Sequence, residues 1–133
     1  MILITGGAGY IGSHTCLSLL ESKYKIFVLD NLVNSSIESM NRVSVLANKD
    51  FEFIKGSICD YDLLDDLFLK HNFKAVIHFA GHKSVGESVE QPLEYYQNNV
   101  CGSLQLFKVM QKHDVKNIVF SSSATVYGDP TVL

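Results

Sequence analysis

Short runs of β-branched and apolar residues alternate along the chain with longer stretches in which apolar residues recur every three or four positions. That alternation predicts βαβ units, and so a parallel sheet covered by helices. Strands are predicted near 2–5 (ILIT), 25–29 (KIFVL), 51–54 (FEFI), 75–80 (AVIHFA) and 117–121 (NIVFS). The segments 11–22, 36–48, 61–71 and 92–113 carry helical spacing, as in Val100, Leu104, Phe107 and Met110. Asp60 stands where an N-cap for the third helix belongs, and Pro92 suits the first turn of the fourth. Right-handed crossovers between five such strands give the spatial order 3-2-1-4-5. The expected fold class is therefore α/β, a doubly wound parallel sheet of Rossmann type. A ligand of that fold lies across the carboxyl ends of strands 1 and 4.

Composition narrows the partners. At 133 residues, 47% apolar and 19% charged, the chain has the length and balance of one compact domain. The formal net charge is -3, Arg42 is the only arginine and the lysines are scattered, so no basic face exists for nucleic acid. Cys16, Cys59 and Cys101 lie far apart without a Cys-x-x-Cys pair, which predicts reduced thiols, no disulfide and no zinc site. His78 and His82 are four apart on a strand-to-loop segment, not on one helix face; no metal is expected, and His78 reads as a satisfied core histidine. "MILITGG" has no charged n-region, cleavage site or membrane-length apolar run, so a cytoplasmic location without membrane attachment is expected.

The candidate chemistry begins at "ITGGAGYIGSH", between the first strand and the first helix. It holds Gly7-x-Gly9-x-x-Gly12 and the overlapping Gly6-x-x-Gly9-x-x-Gly12. Glycines at these steps allow a tight turn, close approach of backbone to a pyrophosphate and close helix–strand packing. Asp30 follows at the end of the second strand, where a carboxylate accepts hydrogen bonds from ribose hydroxyls and repels a 2′-phosphate. NAD is thus favoured over NADP. A triphosphate loop would need Lys then Ser or Thr after its last glycine, where this chain has Ser13 and His14, which argues against an ATPase.

Beyond the fourth strand, "HFAGHKSVGES" offers the small Ala80 and Gly81, against which a cofactor can lie, and then Lys83. Lys83 reads equally as a ligand for ribose or pyrophosphate and as a solvated surface charge. Asn98 and Asn99 are poor helix formers inside a helical pattern; either one side chain reaches inward to order loops or both form an exposed polar face. Ser121, Ser122 and Ser123 close the fifth strand. A lone serine does not abstract a proton at neutral pH, so Ser123 needs a neighbouring base or acts only as a hydrogen-bond partner.

The strings "TGGAGYIGSH", "DNL" with "NSS", "IHFAGHKSVGES", "PLEYYQNN" and "FSSSATVYGDP" resemble, in order and over the whole chain, the amino-terminal part of the UDP-glucose 4-epimerase family, within the extended short-chain dehydrogenase/reductases. The resemblance implies NAD as cofactor and a UDP-sugar as substrate of the complete enzyme. It implies that Gly6, Gly9, Tyr10, Ile11 and Gly12 form the pyrophosphate turn, and that Asp30, Asn31, Leu32, Val33, Asn34 and Ser35 wrap the adenosine ribose. Ser57 and Ile58 fall at the adenine, Ser57 replacing the family's usual acid by an uncharged hydroxyl, which implies weaker adenine recognition. Phe79, Ala80, Gly81, Lys83 and Asn98 are implied at the nicotinamide half. Ser123, as the catalytic serine, would hydrogen-bond the sugar's 4-hydroxyl, with Ser121 and Thr125 framing that pocket.

Family chemistry further requires a Tyr-x-x-x-Lys pair, in which lysine and cofactor charge lower the tyrosine pKa. No tyrosine here has lysine four residues on; Tyr127 is followed by Thr131. The expectation is an incomplete NAD-binding domain over 1–133, cut before a sixth strand, with an open apolar edge on the fifth and without epimerase activity by itself. The family dimerises through the helix at 92–113 and a second helix that this chain lacks, so no dimer is expected of these residues alone. Two other readings stay open: part of another nucleotide-sugar epimerase or dehydratase, and a non-catalytic NAD-binding module.

Overall fold

The computed structural model describes residues 1–123 together with Val126 and Gly128. The five apolar runs form strands within a few residues of the predicted ends: β1 (Ile2–Thr5), β2 (Ile26–Asp30), β3 (Glu52–Lys55), β4 (Ala75–His78) and β5 (Ile118–Phe120). They pair in parallel in the order β3-β2-β1-β4-β5, as the crossover rule requires. β1 is central, with Ile4 paired to Val28 on one side and Ile77 on the other.

Strand periodicity sorts the core into two layers. Leu3, Phe27, Leu29 and Val76 face one way, against α3 (Tyr61–Lys70) and the helix that closes the chain's longest helical stretch. Ile4, Ile26 and Val28 face the other way, against α1 (Tyr10–Glu21) and α2 (Ile37–Ala47). Residues two apart on a strand share a face, so near-continuous apolar strands are what a sheet covered on both faces demands. All of β2 is buried, and its final residue is the carboxylate Asp30.

Local chemistry fixes the helix ends. The Ser36 hydroxyl accepts from the Glu38 amide at the start of α2, and the Asp60 carboxylate accepts from the Leu63 amide at the start of α3, in the expected cap position. α1 differs: Gly9 is its N-cap and makes no side-chain cap bond, which leaves the first-turn amides of α1 facing the cleft described below.

Two features depart from the sequence reading. The stretch 81–91, read as loop, contains the short α4 (Val85–Glu90). The stretch 92–113 is not one α-helix: α5 (Pro92–Tyr95) runs into a π-helical segment (Tyr96–Gly102), which is followed by α6 (Ser103–Lys112). At the sheet edge, Val119 and Phe120 of β5 are 61% and 54% exposed. No helix among the described residues is long and apolar enough to cross a membrane.

Candidate functional site

A cleft of about 440 Å³ opens over the carboxyl ends of the strands, where the connections from β1 and β4 diverge. Its floor is the glycine turn. Gly6 has φ +70°, and a Cβ there would lie 2.5 Å from the Ala80 amide nitrogen and 2.7 Å from Ala80 Cα. A Cβ on Gly12 would run into the Gly6 carbonyl oxygen and lie 2.7 Å from Gly7 Cα. At both positions the obstacle is backbone, so only glycine lets the end of β1 pass between β4 and the first turn of α1. Gly9, Tyr10 and Ile11 complete that wall, and Tyr10 is 83% exposed at its rim.

Asp30 organises the second wall. Its Oδ2 accepts from the Ala8 amide (2.9 Å), which ties β2 to the glycine turn. Its Oδ1 accepts from the Leu32 amide and from the Ser35 hydroxyl, both at 2.9 Å. A carboxylate oxygen has two lone pairs, so Oδ1 is saturated while Oδ2 keeps one acceptor direction. Leu32 is held at φ 60°, a left-handed turn uncommon outside glycine, and packs against the core cluster beneath. Asn31, Val33 and Asn34 line the cleft; Leu32 and Ser35 support it from behind. Gly56, Ser57 and Ile58 close this end, where the Ser57 hydroxyl accepts from the Cys59 amide at 3.1 Å.

The far wall comes from β4, the loop after it and the serines after β5. Phe79, Ala80, Gly81, His82 and Lys83 line it together with Asn98. Ser121, Ser122 and Ser123 reach the same space. Thr125 lies outside the described residues.

Beneath this wall His78 is 2% exposed and fully bonded. The Ser103 hydroxyl donates to the Asn99 carbonyl oxygen (2.6 Å), so toward His78 Nε2 (3.0 Å) it accepts. The proton therefore sits on Nε2, and Nδ1 accepts from the Thr5 hydroxyl at 2.6 Å. Burial, and next the nearby Lys83 ammonium, push the His78 pKa down to about 4. On the other side of the sheet, burial and then the Asp30 carboxylate push the Cys16 thiol up to about 12, so it is an inert packing group.

Of the two readings left open for Asn98 and Asn99, the inward one describes the structure, and the loop-binding groups belong to Asn99. Its Oδ1 accepts from the His82 amide (2.8 Å) and its Nδ2 donates to the His82 carbonyl oxygen (3.0 Å). Buried Asn98 donates to Asn99 Oδ1 at 2.9 Å. Sequence reasoning did not single out Thr5, Ser103 or the Ala8 amide. Among the described residues no cluster of three His, Cys, Asp or Glu side chains could hold a metal ion.

A parallel sheet in this order, with a glycine turn after its central strand and an acid after the next, defines a Rossmann-type nucleotide-binding fold. A family model described as GDP-mannose 4,6 dehydratase matches residues 3–132. The chain belongs to this family of extended short-chain dehydrogenase/reductases and corresponds to the amino-terminal part of its UDP-glucose 4-epimerases. It is 57% identical over 129 residues to the UDP-glucose 4-epimerase of Bacillus subtilis, a match covering 97% of this chain and 38% of that protein. It is 55% identical over 138 residues to the mouse enzyme, covering 99% and 40%. The Bifidobacterium longum UDP-glucose 4-epimerase, crystallised with NAD⁺ and UDP, superposes with a TM-score of 0.95 at 48% identity, covering 99% of this chain and 39% of that one. The chain thus spans about two-fifths of the length of these relatives.

Proposed function

We propose that residues 1–133 are the NAD-binding Rossmann portion of a UDP-glucose 4-epimerase, a cytoplasmic isomerase that interconverts UDP-galactose and UDP-glucose in galactose metabolism. The observation that carries this reading is the glycine turn, whose close backbone packing admits no Cβ at Gly6 or Gly12, set beside a carboxylate with one free acceptor direction. The residues fit a dinucleotide. First-turn amides of α1, uncapped by any side chain, would receive the pyrophosphate next to Gly9, Tyr10 and Ile11. Asp30 Oδ2 would accept from the adenosine ribose, between Asn31, Val33 and Asn34 on one side and Ser57 and Ile58 on the other. Leu32 and Ser35 would keep the Asp30 carboxylate oriented.

NAD, when bound, supplies a site that takes a hydride from C4 of the sugar and returns it to the opposite face. Phe79, Ala80 and Gly81 would pack against the nicotinamide half, with the Lys83 ammonium donating to its ribose and Asn98, which bonds Asn99, lining that side. Ser123 would hold the sugar's 4-hydroxyl by a hydrogen bond, with Ser121 beside it, and would not itself remove the proton. The tyrosine–lysine base is absent from these 133 residues, so the chain alone is proposed to bind cofactor without turning over sugar.

Fluorescence titration of the chain with NADH tests the reading: saturable binding is expected, displaced by NAD and far weaker for NADPH because of Asp30. No binding, or equal affinity for NADPH, refutes it. With the protein as its gene encodes it, UDP-galactose should convert to UDP-glucose. An NAD-binding protein that instead dehydrates or inverts other nucleotide sugars would be a different member of the same family.

A further inference from the structure

One face of the helical stretch grips β4 and the loop beyond it in three places. Ser103 bonds His78 (3.0 Å), Asn99 bonds His82 through both its amide groups (2.8 and 3.0 Å), and the Tyr95 hydroxyl accepts from the Ser84 amide (3.1 Å). The helix residues descend, 103, 99, 95, as the strand and loop residues ascend, 78, 82, 84, so the contacts form an antiparallel ladder. The His82 ring packs on Tyr95 with centroids 5.2 Å apart. Lys83 is the one residue between the last two rungs.

We infer that Asn99 is a positioning residue that holds the Lys83 ammonium at the inner end of the cleft. This rests on the NAD reading for what the ammonium contacts. The Lys83 side chain folds back over Gly81: its Cε and Nζ each lie 3.6 Å from where a Gly81 side chain would begin, and Asn99 Oδ1 lies 3.4 Å from the same point. A lysine has four rotatable bonds and no preference for one cleft over open water, so its backbone must be fixed before its charge is. Asn99 fixes it by satisfying both main-chain groups of the preceding residue.

If Asn99 only stabilised the loop, its loss would lower stability without acting through Lys83. A double-mutant cycle on NADH affinity separates the two. Asn99→Ala and Lys83→Ala should each weaken NADH about ten-fold, the range of one lost hydrogen bond to a charged group. The double variant should also be weakened about ten-fold, not a hundred-fold, because a displaced lysine and a missing one are equivalent. Without nucleotide, hydrogen exchange at the His82 amide should accelerate in Asn99→Ala while Lys83→Ala leaves it unchanged. Additive losses in the cycle, unchanged NADH affinity of Asn99→Ala, or unchanged His82 exchange overturns the inference. Should Asn99→Ala fail to fold, Asn99→Ser, still polar, replaces it in the same cycle, and the same outcomes support or overturn the inference. A wild-type chain that binds no NADH refutes the proposed function and this inference together; NADH binding with an additive cycle refutes the inference alone.

Discussion

Gly6→Ala is the sharpest perturbation of the cradle. Gly6 has φ +70°, and an L-residue forced into left-handed backbone costs about 1–2 kcal/mol. The new Cβ would sit 2.5 Å from the Ala80 nitrogen, inside any permitted contact, and the obstacle is main chain of the neighbouring strand exit. Overpacking of this kind costs about 1–3 kcal/mol, so the two effects together give about 2–5 kcal/mol. Native stabilities of about 5–15 kcal/mol make that a large fraction. At about 4 °C per kcal/mol for a domain of this size, the melting temperature should fall by about 8–20 °C. Thermal melts followed by circular dichroism, with urea titrations, read the change. Gly86→Ala serves as control: it lies in α4, nothing is within 4 Å of its added Cβ, and it should be neutral or stabilising by a few tenths of a kcal/mol. A Gly6→Ala chain melting within about 2 °C of wild type would refute the steric account of the cradle.

Three further outcomes follow from single side chains. The His78 pKa is about 4 folded against an ordinary 6.5, so below pH 6.5 the unfolded chain binds a proton that the folded chain refuses. Its contribution, about 3 kcal/mol, is complete above pH 6.5 and is lost as pH falls to 4; urea stabilities measured across this window should decline in wild type and decline less in His78→Gln. Asp30→Asn puts an amide donor where the Ala8 amide, the Leu32 amide and the Ser35 hydroxyl all donate. It should cost about 1–3 kcal/mol in urea unfolding and weaken NADH at least about ten-fold, and unchanged binding would contradict the assigned role. With an alkylating reagent, exposed Cys101 should react first and Cys16 only after unfolding; peptide masses showing early modification of Cys16 would contradict its burial and its pKa near 12.

The strands were legible because each is a short apolar run with a turn on either side, and for the central β1 and β2 burial on both faces removes the ambiguity of alternation. Asp30 and the glycine turn were legible for a related reason: their chemistry is carried by residue type at fixed spacing. The segment 92–113 was misread because apolar positions such as Leu104, Phe107 and Met110 report a helix without reporting one widened turn upstream of them. α4 did leave a signal, the capping box Ser84-x-x-Glu87, in which the Ser84 hydroxyl accepts from the Glu87 amide at 3.4 Å. Gly86 in its first turn and a length of six residues hid it. The left-handed Leu32 was not legible, since leucine gives no hint of that backbone and the cause is the Asp30 carboxylate two residues earlier.

The π segment gives the ladder onto β4 a physical reason to exist. Side chains that grip β4 and the loop after it at successive points must rise from the helix in a nearly straight row. Tyr95, Asn99 and Ser103 are spaced by four, and four residues overshoot a 3.6-residue turn by about 40°, or about 80° over the two steps. In a regular α-helix the third rung would have rotated well away from the first. Bonding from i to i+5 between Tyr96 and Gly102 widens the turn and removes much of that drift where the row needs it. The cost is weaker helix geometry across the segment, offset by side-chain bonds from Asn98, Asn99 and Ser103 to one another and to the loop. A feature that looks like a defect in the helix is thus what lets one face reach His78, His82 and Ser84 at once, and with them the backbone on either side of Lys83.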